Sequence, residues 1–103
     1  MEKIIEIKDI FELPKLGVVI IGNNDELKSL TPNEIRTLIG KRIFVCMKNG
    51  NYSTYNVTGV DIPISIVGKK CSINICIGNS INIFNIEIGS VVYNIKEVIK
   101  RIY

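Results

Sequence analysis

The 103 residues contain no histidine, so any proton transfer or nucleophile activation falls to Asp, Glu, Lys, Tyr or Cys. The nucleophile candidates are Cys46, Cys71 and Cys76, and none has an imidazole to take its proton. Lys69 and Lys70 precede Cys71 and would lower its pKa if the thiol faced them. The alternation of Cys71, Ile73, Ile75 and Ile77 with Ser72, Asn74 and Cys76 instead places Cys71 on the apolar side of a strand. An odd number of cysteines gives no disulfide framework, and without a Cys-x-x-Cys pair or a histidine no zinc site is expected. Gly40-Lys41 lacks both the preceding glycine frame and the following Ser or Thr of a phosphate loop. These residues point to a chain that is not an enzyme and uses no metal or cofactor.

Binding chemistry has more candidates. Thirteen basic against ten acidic residues give a net charge of +3, which is mild for a polyanion-binding surface. The basic pairs are Lys41-Arg42, Lys69-Lys70 and Lys100-Arg101. Tyr52 and Tyr55 fall on opposite faces of one strand and make no simple stacking platform by themselves. Arg42, Tyr52, Asp61, Lys69 and Lys70 are the expected partner-binding residues.

The elements that must carry these residues are mostly strands. Hydrophobic residues make up 47% of the chain, enough to argue against disorder, and they lean to Ile and Val, whose branched Cβ suits a pleated surface. Residues 4–11 interleave Ile5 and Ile7 with Glu6 and Lys8. Leu13-Pro14-Lys15-Leu16-Gly17 is a corner. Val18-Val19-Ile20-Ile21 makes a second, continuously apolar strand. Thr31-Pro32-Asn33-Glu34 then has the form of a capping box, with Pro32 at the first helical position. Leu30 and Ile35 are placed for a hydrophobic staple, and Gly40 for the helix end. Residues 43–47 and 52–58 read as a hairpin about Asn49-Gly50, expected as a type I′ turn, with Gly59 as a break or bulge. Val60, Ile62, Ile64 and Ile66 alternate with polar residues and Pro63. Residues 71–77 are the clearest half-buried strand. A phase shift marks a corner near Phe84, and Val91, Tyr93 and Ile95 belong to a last strand. Residues 96–103 suit a helix face or a short strand.

The strand order has a familiar text. Asp9-Ile10-Phe11-Glu12-Leu13-Pro14-Lys15-Leu16-Gly17-Val18-Val19-Ile20-Ile21-Gly22, Leu38-Ile39-Gly40-Lys41-Arg42-Ile43, Val57-Thr58-Gly59-Val60-Asp61-Ile62, residues 68–77 and Ile86-Glu87-Ile88-Gly89-Ser90-Val91-Val92-Tyr93 resemble, in order, segments of domain 2 of the translational GTPases, the β-barrel of elongation factor Tu and its relatives. The likeness spans residues 7–95. It implies an all-β fold, a small closed six-stranded barrel, here with a short helix inserted after the second strand. Residues 1–103 would form one domain, with the helical insertion at about 24–40. Asp61 stands where the family has a Glu beside the pocket that such barrels offer to an aminoacylated RNA end. Ile64 and Ser65 stand where the family's following basic residues would be. Leu16 replaces the arginine of the family's Gly-Arg-Gly corner, and Lys15 its first glycine. The likeness thus supports the barrel and does not carry RNA recognition with it.

The expected function is a non-catalytic protein–protein interaction module that presents its helix and nearby loops on a rigid barrel. The partner is another protein, a bacterial toxin domain, which would make this a toxin-neutralising immunity protein, or a component of translation. The alternative is an RNA- or ribosome-associated binding domain of translation-factor type. No signal peptide is read in the charged residues 1–9 and no apolar run reaches membrane length, so the expected location is the cytoplasm, without a membrane partner.

Overall fold

The computed structural model describes residues 1–63, 71–79 and 81–95, except the side chain of Phe84. Lys69, Lys70 and the expected alternation through Ile64 and Ile66 lie outside the described residues, as do residues 96–103.

Seven strands run in chain order: β1 (Lys3–Leu13), β2 (Gly17–Asn23), β3 (Arg42–Cys46), β4 (Tyr52–Asn56), β5 (Gly59–Asp61), β6 (Ser72–Gly78) and β7 (Val91–Asn94). All belong to one sheet of order β4-β3-β7-β1-β2-β6-β5, and every pairing is antiparallel. The expected all-β fold is present as one antiparallel sheet, with seven strands in place of the expected six and with β4 and β5 at its two ends, not paired to each other. The physical reason is a change of partner within one extended run. Tyr52–Asn56 pairs with β3 and Gly59–Asp61 with β6. Val57 N–H donates to the Lys41 carbonyl on one side, and Thr58 N–H donates to the Cys76 carbonyl on the other, each at 2.8 Å. The two edges of the sheet are therefore covalently adjacent.

The core is aliphatic. Ile4, Ile5, Ile7, Val18, Ile20, Ile43, Val45, Ile73, Ile75, Ile77 and Val92 are buried in it. Ile4 and Ile5 are both fully buried although adjacent, because the β1–β7 register shifts between Lys3 and Ile5. A bulge of this kind turns consecutive side chains to one face.

The helix α1 (Pro32–Ile39) follows a 3-10 turn at Asp25–Leu27. Glu34 N–H donates to Thr31 Oγ1 at 3.1 Å and Thr31 N–H donates to Glu34 Oε1 at 3.0 Å, which is the capping box expected from the sequence. Ile35 and Ile39 bury its inner side, with Leu30 and Leu38 partly buried beside them. Gly40 N–H donates to the Arg36 carbonyl and ends it. Removing the cap oxygen by Thr31→Ala is expected to cost about 1 kcal/mol in urea unfolding. The same contact gives a pH dependence. The backbone N–H and side chain of Thr31 hold the Glu34 carboxyl below its usual 4.5. A lowered folded-state pKa stabilises above the unfolded value and is lost as pH falls through the folded one. Acidification below about pH 4.5 should therefore lower the Tm of the native chain more than that of Glu34→Gln, which has no carboxyl to protonate.

The β3–β4 hairpin differs from its expected turn. Gly50 has φ +89° while Asn49 keeps a negative φ. Gly50 N–H donates to the Met47 carbonyl and Met47 N–H to the Asn51 carbonyl. Three residues thus form the loop, an ordinary turn followed by a glycine in left-handed conformation. Asn49 Oδ1 accepts from Asn51 N–H at 2.9 Å, a local bond that holds this geometry without a positive φ at asparagine. The corner near Phe84 is a 3-10 turn at Ile83–Asn85.

Candidate binding surfaces

The last pairs of the β1–β2 hairpin are Phe11 with Val19, Glu12 with Val18 and Leu13 with Gly17, and β6 runs beside β2 as far as Gly17. Phe11, Leu13 and Leu16 remain 46%, 43% and 53% exposed at this tip. Phe11 and Leu13 point to one face because they are two residues apart on a strand. That face is not the core side: Val19 pairs with both Phe11 and Cys76, and neither Val19 nor Cys76 belongs to the core cluster. On that face Phe11 lies in line with Val19 and Cys76, which are both buried, and the large side chains left exposed at the hairpin end are Phe11, Leu13 and Leu16. The sequence reading treated residues 13–17 only as a corner. Three apolar residues in and beside a turn, where polar ones are the rule, were the available signal.

A second surface lies on β4, β3 and β7. Ile43 and Val45 face the core, so Arg42, Phe44 and Cys46 face outward. Phe44 pairs with Tyr93 across the strands. Its ring stacks on Tyr52 with centroids 4.8 Å apart and planes inclined by 23°, and meets Tyr93 edge-on at 6.3 Å. These are favourable aromatic geometries. Tyr52 is nonetheless 66% exposed. Beside it an open cleft is lined by Asn51, Tyr52, Tyr55, Asn85 and Glu87, among others. The stack could not be read from Tyr52 and Tyr55, because the partners come from strands far apart in sequence.

Of the five expected site residues, the structure brings Arg42 and Tyr52 to one surface. Arg42 Nη2 donates to Thr54 Oγ1 at 3.3 Å, between the two along the hairpin. Asp61 is exposed on β5, paired with Asn74, at the opposite end of the strand order.

The thiols are placed as packing groups. Burial, and then the Asp25 carboxylate, push Cys71 above the usual thiol pKa; burial and then Asp61 do the same for Cys76. Both thus hold their protons and are poor nucleophiles at neutral pH. Among the described residues no group of three or more His, Cys, Asp or Glu could hold a metal ion, and no helix is long and apolar enough to cross a membrane.

No family model, no curated protein and no solved structure matches this chain. The likeness to translation-factor domain 2 rests on the sequence segments alone.

Proposed function

We propose that this protein is a non-catalytic protein-binding module whose contact is centred on the β1–β2 hairpin tip. The observation that carries this reading is the exposure of Phe11, Leu13 and Leu16 at the end of one hairpin. Large apolar side chains clustered at the end of a paired, rigid hairpin lose little conformational freedom when a partner covers them, and contiguous exposed apolar surface commonly marks an interaction site. Raised thiol pKa values at Cys71 and Cys76 and the absence of any histidine favour binding over covalent chemistry. The partner class remains the one drawn from the sequence, a toxin domain or a translation component, with the contact moved from α1 to the hairpin.

The scaffold proposed beneath it is a curled sheet. With β4 and β5 taken as one bent strand across Val57 and Thr58, six strands would surround the aliphatic core, as the likeness to translation-factor domain 2 implies. The bonds from Val57 to Lys41 and from Thr58 to Cys76 support that seam.

Affinity capture from the source cell extract tests the function. The native chain is expected to retain a protein partner after nuclease treatment, and Phe11→Ser/Leu16→Ser to retain at least about tenfold less, since two interface anchors each contribute on the order of 1 kcal/mol or more. Both substituted side chains are exposed, so Tm should be unchanged. Equal capture by the two chains, or capture abolished by nuclease, would contradict the hairpin contact.

A further inference from the structure

Tyr52 has one ring face laid on Phe44 and the rest of its surface open. Cations surround this stack. Arg42 lies two residues from Phe44 on the same face of β3, Lys3 pairs in register with Tyr93, and Lys48 follows β3 into the hairpin loop. All three are exposed. Of the acids nearby, the Glu6 carboxylate is bound by Lys8 at 3.0 Å and also feels the charges of Lys3 and Lys48, and Glu87 lies in a cleft lined by Ser53 and Tyr55 of the opposite face of β4. Stacked rings that only stabilise a sheet need no such setting. An accessible ring flanked by separated cations matches a ligand with flat faces and a repeating negative charge.

We propose that the outer face of β4, β3 and β7 binds single-stranded nucleic acid, with one base stacked on the free face of Tyr52. Phe44 backs the Tyr52 ring. Arg42, Lys3 and Lys48 meet the phosphates on either side. A duplex keeps its base faces covered and cannot use the ring. This site goes beyond the hairpin contact and shares no residue with it.

The test is fluorescence anisotropy of the full chain with labelled oligoadenylate and oligouridine of about twelve nucleotides, within the span such surfaces cover. Saturable binding of oligoadenylate at low salt is expected. Tyr52→Ala should weaken it about tenfold and Tyr52→Phe by less than about twofold, as stacking is lost in one and kept in the other. Three phosphate contacts give a log–log salt slope of about −2, and Arg42→Gln should reduce its magnitude by about 0.7. The Phe11→Ser/Leu16→Ser chain should bind normally, which separates failure of this site from failure of the hairpin. Absence of saturable binding, unchanged affinity in Tyr52→Ala, or equal affinity for duplex would overturn the proposal. Oligouridine should bind saturably as well, since every base has a face to stack, and its failure to bind would overturn the stacking on Tyr52.

Discussion

Ile75→Ala is expected to remove about 2–5 kcal/mol of folding free energy. Ile75 is fully buried at the middle of β6 and pairs with Ile20 of β2 on one side and Val60 of β5 on the other. Truncation deletes buried apolar atoms and leaves a cavity that flanking backbones cannot fill, because both are held in register by their own ladders. A chain of this length has a total stability on the order of 10 kcal/mol, so the loss is a large fraction of it. Urea unfolding should show a lower midpoint with an unchanged slope. Hydrogen exchange should quicken most at β5, whose short ladder depends on β6. A loss below about 1 kcal/mol would mean that Ile75 does not sit in a packed core.

Asn94→Leu should be comparably damaging through polar groups. Asn94 is 3% exposed. Its Oδ1 accepts from Glu2 N–H at 2.7 Å, and its Nδ2 donates to the Leu38 carbonyl at 3.1 Å. One side chain thus joins β7, the start of β1 and the last turn of α1. Leucine has similar bulk and neither function, so a donor and an acceptor lose their partner in partly buried surroundings, at about 1–3 kcal/mol each. We expect a total of about 2–4 kcal/mol, together with faster exchange in the final turn of α1. Asn94→Leu with native stability would show that water can replace both bonds.

What the sequence made legible was what short segments determine. The capping box needs only residues 31–34, and the alternation of β6 needs only its own seven positions. Features set by distant partners were not legible. The Asn49-Gly50 pair marks a hairpin, but whether two or three residues form its loop depends on the register of β3 with β4. Asn94 reads as a polar residue at a strand end; its burial follows from Glu2 and Leu38, which are 92 and 56 positions away. The Phe44–Tyr52–Tyr93 cluster exists because β7 lies directly beside β3 in the sheet, an order that no local pattern encodes. The strand count differs from the expected six because the sequence shows an extended run at 52–61 but not that its pairing partner changes at Val57 and Thr58. Arg42 and Tyr52 share a face because β3 pairs with β4, a relation that residue type alone does not encode.

The hairpin contact is tested most directly by a photo-crosslinking amino acid at position 16 in place of Leu16, with the same substitution at exposed Lys28 as the control. Irradiation in nuclease-treated extract should yield one dominant protein adduct from position 16 and none from position 28. No adduct at position 16, or the same adducts from both positions, would contradict a partner seated on the β1–β2 tip.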